Sequence, residues 1–107
     1  MSRKYHFQVR SPLGQKIRVT KSYWIYISEK KHPEVKNQEQ RAVATIKNPD
    51  IIKQSSKDLK IFLYYRKING KYFCIVARHL NGKGFVITAY ISKRFVGGKI
   101  IWRKPKN

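Results

Sequence analysis

Residues 60–91, KIFLYYRKINGKYFCIVARHLNGKGFVITAYI, decide the reading of the fold. The stretch divides into three apolar runs, 60–68, 71–80 and 84–91, each of strand length and rich in β-branched and aromatic residues. The joints are Asn69-Gly70 and Asn81-Gly82-Lys83-Gly84, and Asn and Gly are the residues that accept positive φ at least cost. Three consecutive antiparallel strands are expected. Side chains alternate across a strand, so Phe85, Ile87, Ala89 and Ile91 are assigned to a face covered by helices, and Val86, Thr88 and Tyr90 to the other. Ile61, Leu63, Tyr65, Ile75 and Ala77 are placed inward, and Tyr64, Arg66, Cys74, Val76 and Arg78 outward. Arg66, Arg78, Thr88 and Tyr90 then converge on one open concave face. His79 falls on the covered side, where a hydrogen-bonded structural role is expected.

Working outward, residues 5–10 (YHFQVR) and 15–20 (QKIRVT) flank the turn Ser11-Pro12-Leu13-Gly14 and read as a hairpin. A first helix is expected over 21–32, capped by Thr20 or Ser22. Tyr23, Trp24 and Ile27 form its apolar side, and Lys30, Lys31 and His32 precede Pro33. A second runs from 34 or 37 to 47, with Val35, Ala42, Val43 and Ile46 on one side and Thr45 towards solvent. Asn48-Pro49-Asp50 ends it, and Ile51-Ile52 reads as a short turn under the sheet. A turn at Gly97-Gly98, an edge strand at Ile100-Ile101-Trp102 and a frayed basic tail from 103 to 107 complete the chain. The expected architecture is α+β: an N-terminal hairpin, two helices, then a curved antiparallel sheet of three to four strands, in one domain spanning 1–107.

Charge bounds the partners. The 25 Lys and Arg against 5 Asp and Glu give +20, which makes nucleic acid, RNA or DNA, the default partner, with an anionic membrane or an acidic protein behind it. All five acids (Glu29, Glu34, Glu39, Asp50 and Asp58) lie between residues 29 and 58, so the three strands carry positive field alone. No apolar run reaches membrane-spanning length, and MSRKYHFQVR lacks the apolar core of a signal peptide. A cytoplasmic protein without membrane association is expected. Cys74, the one cysteine, reads as a small buried hydrophobe.

Several chemistries are disfavoured by residue type. Three scattered histidines have no metal-ligand spacing, and no Walker loop, dinucleotide glycine motif or carboxylate pair is present. The three strands contain no Asp or Glu, which argues against a two-metal nuclease; no cofactor is expected. Metal-independent RNA cleavage remains, in which a 2′-hydroxyl attacks the adjacent phosphate. It needs proton transfer and cations around the pentacoordinate phosphorus. His32 or Tyr90 would move protons, Arg66 and Arg78 would hold charge, and Thr88 would position a phosphate oxygen. Lys93 and Arg94 would bind flanking nucleotides and Tyr64 would stack a base. The alternative is a non-catalytic RNA- or DNA-binding module.

The order Gly14, Arg18-Val19-Thr20, Trp24-Ile25-Tyr26-Ile27, His32-Pro33-Glu34, Asn48-Pro49-Asp50-Ile51, Tyr64-Tyr65-Arg66, Val86-Ile87-Thr88-Ala89-Tyr90 and Trp102 resembles a family. It is that of small prokaryotic and phage-associated proteins of the barnase/EndoU/colicin/RelE-like nuclease superfold. The likeness spans about residues 13–102. It implies a ribonuclease, often a toxin held by an acidic antitoxin, with helices before a curved antiparallel sheet. It points to His32, Arg66 and Thr88 as site residues. Some relatives carry another histidine in the first helix, where this chain has Tyr26 and Ile27.

Overall fold

A computed structural model describes residues 5–95 and 98–105. Seven strands form one mixed sheet: β1 (Phe7–Arg10), β2 (Lys16–Val19), β3 (Ile51–Gln54), β4 (Ile61–Ile68), β5 (Lys71–Leu80), β6 (Lys83–Ser92) and β7 (Lys99–Arg103), in the order β1-β2-β6-β5-β4-β3-β7. This replaces the expected sheet of three to four antiparallel strands beside a separate hairpin. The hairpin β1–β2 forms as read, but β2 joins the main sheet by parallel pairing with β6, Ile17 beside Gly84 and Arg18 beside Phe85. Ile51-Ile52 is no turn: it begins β3, hydrogen-bonded between β4 and β7. Its two isoleucines are buried on opposite faces, which removes the polar alternation that marks a half-buried strand.

The helical part is short. Helix α1 (Lys21–Tyr26) is capped by Thr20, whose hydroxyl accepts from the Tyr23 amide at 3.2 Å. It runs into a wider π turn, Ile27–Lys31, closed by the His32 amide donating to the Ile27 carbonyl at 2.7 Å. Pro33–Val35 is a 3₁₀ turn, and α2 (Glu39–Lys47) follows. The two expected helices are thus each divided, at residues 27 and 36–38. Thr45, expected towards solvent, is fully buried, and its hydroxyl donates to the Arg41 carbonyl at 2.7 Å.

The core lies between the sheet and these helical segments. Ile17, Val19, Trp24, Ile27, Val35, Ala42 and Ile46 meet Ile52, Tyr64, Phe73, Ile75, Ala77, Val86 and Ala89. α2 contacts β1, β4 and β5, so the sheet curls around it and the concave side is filled. Register decides the rest. The Asn69-Gly70 turn has positive φ at both residues, which suits a type I′ hairpin, and it pairs Ile68 with Lys71 and hence Tyr64 with Ile75. Tyr64 and Arg66 therefore share the helix side with Ile75, and Ile61, Leu63 and Tyr65 face the other way, the reverse of the expected split. With apolar residues on both of its faces, β4 carries no alternation of its own to reveal this.

The second hairpin turn is the pair Asn81-Gly82 alone, with Leu80 opposite Lys83. Farther along, a bulge shifts the pairing: Val76 faces Thr88, Ala77 faces Val86, and Ile87 is the extra residue. This inverts the first part of β6, sending Val86 into the core and Phe85 outward, while Thr88 and Tyr90 keep the outer face. The Ile87 carbonyl accepts from the Tyr23 hydroxyl at 2.8 Å, so α1 lies along the part of the β6 edge that β2 leaves open. The Gly97-Gly98 turn lies partly outside the described residues; Gly98 has φ +73. The tail expected to fray from 103 is held at its start: Arg103 belongs to β7 and the Lys104 amide donates to the Asp50 carbonyl at 2.9 Å, while 106–107 lie outside the described residues.

His79 sits on the helix side of β5. Its Nε2 meets the Tyr64 hydroxyl at 2.8 Å and its ring stacks on Phe62 at 3.8 Å. Burial lowers its pKa to about 4, so it is neutral at pH 7. The unfolded chain takes up this proton near pH 6.5 and the folded chain only near 4, so its contribution is complete above 6.5 and is lost on acidification across that window. The expected loss is about 1–2 kcal/mol once partial exposure is allowed for. Urea midpoints at pH 7 and 4.5 should differ less in His79→Phe than in the wild type; an equal difference would mean that His79 does not titrate in this way.

Candidate nucleic-acid interface

The outer face of the sheet is built in three cross-strand rows. The first runs Arg18, Phe85, Arg78, Ile61 across β2, β6, β5 and β4. The second is Thr88, Val76, Leu63, and the third Tyr90, Cys74, Tyr65. Phe95 leans over the third row, its ring 4.9 Å from Tyr65 and 4.3 Å from Tyr72, with the Lys53 ammonium 5.8 Å from its centre. Exposed rings beside cations form a surface on which unpaired bases stack and phosphates are neutralised.

The four residues expected to act together are divided by the sheet. Thr88, Tyr90 and Arg78 share the outer face. His32 joins them from the end of the π turn, its ring 5.7 Å from that of Tyr90 and its Nδ1 3.3 Å from Glu34. Arg66 does not. It lies on the helix side, where Nη1 donates to the Asn48 carbonyl at 2.6 Å and satisfies a backbone acceptor at the end of α2. Tyr64, expected to stack a base, is fully buried and bonded to His79. Lys93 and Arg94 are exposed just after β6, in a bend ordered by the Ser92 hydroxyl, which donates to the Arg94 carbonyl at 2.7 Å and accepts from its amide at 3.2 Å.

Polar chemistry on this face is unevenly available. Arg78 Nη1 pairs with Asp58 at 2.9 Å, with both side chains well exposed. The Lys60 amide and then the Arg78 guanidinium hold the Asp58 carboxyl below its usual range. Such a surface pair has small net worth, and a phosphate can replace the carboxylate at modest cost. Burial, then hydrogen bonding with Cys74 and Tyr65, raises the Tyr90 hydroxyl above its ordinary pKa. Tyr90 therefore keeps its proton at neutral pH. The Thr88 hydroxyl is covered and has no hydrogen-bond partner among the described residues.

Cys74 lies at the centre of the third row and is fully buried. Burial pushes its thiol up to about 12, so it has almost no thiolate at pH 8. Reaction with an aromatic disulfide reagent should be undetectable in the native protein and stoichiometric in 6 M guanidinium; fast native labelling would show that the row opens. Among the described residues, no three His, Cys, Asp or Glu side chains gather as a metal-ligand group. No described helix is long and apolar enough to cross a membrane.

Sequence reading missed Arg18 and Phe85 in the first row. Arg18 was visible as a cation alternating with Ile17 and Val19, but its neighbour across the sheet was not. No protein-family model, curated protein or solved structure matches the chain.

Proposed function

We propose that this protein binds single-stranded RNA on the outer face of its sheet and cleaves it without a metal ion, as a toxin-type endoribonuclease. The observation that carries the reading is the meeting of His32, from the π turn, with Tyr90 on the strand that also bears Thr88. The net charge of +20 supports RNA as the ligand. The resemblance to barnase/EndoU/colicin/RelE-like nucleases, carried by the order of His32-Pro33-Glu34, Asn48-Pro49-Asp50 and Ile87-Thr88-Ala89-Tyr90, belongs to this proposal; of the site residues it implies, His32 and Thr88 are used and Arg66, bonded to Asn48, is not.

In the proposed reaction, the His32 imidazole accepts the proton of the 2′-hydroxyl as that oxygen bonds to phosphorus. The bond from phosphorus to the 5′-oxygen breaks, and the departing oxygen takes a proton from water. The products are a 2′,3′-cyclic phosphate and a 5′-hydroxyl. Tyr90 donates a hydrogen bond to an oxygen of the attacked phosphate, and Arg78, four residues away along the sheet and released from Asp58, holds a phosphate farther along the strand. Lys93 and Arg94 hold flanking phosphates. The protein acts in the cytoplasm, where an acidic antitoxin would cover the same face.

Purified protein incubated with end-labelled RNA in EDTA should produce cut strands. RNA that is shifted in a gel but uncut would leave a binding module, a reading favoured by the engagement of Arg66 with Asn48 and of Arg78 with Asp58.

A further inference from the structure

A cleft of about 330 Å³ opens where β2 meets β6 beside α1, lined by Tyr5, Arg18, Val19, Thr20, Tyr23 and Phe85 with Val86. Its size is at the lower end of the range for small-molecule sites. Its walls are largely apolar and aromatic. Phe85 is 40% exposed and Tyr23 38% exposed. The polar atoms around it are mostly committed: the Tyr23 hydroxyl to the Ile87 carbonyl, the Thr20 hydroxyl to the Tyr23 amide. Arg18 is the available charge, its guanidinium 4.8 Å above the Tyr5 ring with no carboxylate partner among the described residues.

Phe85 is flanked in register by Arg18 on β2 and Arg78 on β5. Neighbouring strands are about 4.8 Å apart, which puts the two arginine backbones about 10 Å from each other. Side chains of arginine length reach successive phosphates of an extended strand from there. A ring between two guanidiniums, beside an apolar cleft of the size of a planar heterocycle, matches one nucleotide of a single strand.

We propose that this cleft is a nucleobase subsite: the base of one unpaired nucleotide stacks on Phe85, and Arg18 and Arg78 hold the phosphates on either side of it. The inference rests on the reading of RNA as ligand, and it names the contacts that fix a strand relative to Thr88, three residues along β6. With few free polar atoms in the cleft, stacking dominates, and the subsite accepts bases with little discrimination.

The test uses 2′-O-methyl oligonucleotides, which cannot be cleaved through the 2′-oxygen. One is a pentamer of 2-aminopurine and the other is abasic throughout. The wild type should quench 2-aminopurine fluorescence and bind the base-bearing pentamer about tenfold or more tightly than the abasic one. Phe85→Ala should erase that preference with its melting temperature almost unchanged, and Phe85→Trp should retain it. Equal affinity of the wild type for both pentamers, or a preference that survives Phe85→Ala, overturns the subsite. A wild type that binds neither overturns both the subsite and the RNA reading. A base-dependent preference in a protein that cuts no RNA upholds the subsite and removes only the cleavage.

Discussion

His32→Ala should lower the single-turnover rate of RNA cleavage by about a hundredfold or more, the range typical of a lost general base, while RNA affinity changes by no more than about twofold. The imidazole is the side chain suited to accepting and returning a proton near neutrality, and here it is set against Tyr90 by backbone geometry. The π turn ends on His32, and Pro33 then forces a change of direction, so the ring projects onto the edge of β6 instead of continuing along a helix. Its side chain is 32% exposed and its contact with Glu34 is made at the surface, so the variant should fold as the wild type does. Thermal melting of both proteins checks this. A rate that is unchanged would take His32 out of the reaction.

Gly84→Ala should destabilise the protein by about 3 kcal/mol or more, a large share of the 5–15 kcal/mol typical of a domain. A Cβ at this position would lie 2.2 Å from the Arg78 carbonyl oxygen and 3.0 Å from the Ile17 side chain. The first of these is backbone, held in the β5–β6 ladder, so the clash is relieved only by moving strands. Gly84 also lies where β2 pairs in parallel with β6, and displacement there would disturb the row carrying Arg18, Phe85 and Arg78. Gly82→Ala provides the contrast. Nothing lies within 4 Å of its added Cβ, but φ is +90, so it should cost about 1 kcal/mol from backbone strain alone. Urea unfolding followed by circular dichroism ranks the two, and equal losses would contradict the packing explanation.

The hairpins were legible because Asn69-Gly70 and Asn81-Gly82 have one strong local solution, and the cap of α1 was narrowed to Thr20 or Ser22, of which Thr20 serves. What failed was information that is not local. The inward and outward sets of β4 were available in principle, since a two-residue turn at Asn69-Gly70 pairs Tyr64 with Ile75 whatever the composition of the strand. Alternation was the weaker guide there, because both faces of β4 are covered. The bulge at Ile87 has no signature in VITAY, and it alone sends Phe85 outward and Val86 inward. The parallel joining of β2 to β6 depends on residues more than sixty positions apart, and so does the first row of the interface. Arg66 looked equivalent to Arg78, yet one binds the end of α2 and the other faces solvent beside Asp58. His32, Thr88 and Tyr90 were singled out because proton chemistry and hydroxyls restrict the residue types that can serve, and His32 does lie against Tyr90, on the strand that bears Thr88.

A DNA oligonucleotide carrying a single ribonucleotide, incubated with the protein in EDTA, tests the central claim most directly. One cut is expected, immediately 3′ of the ribose, with a 2′,3′-cyclic phosphate on one fragment and a 5′-hydroxyl on the other. Cleavage at deoxyribose positions, or no cleavage of a strand that the protein demonstrably binds, would contradict it.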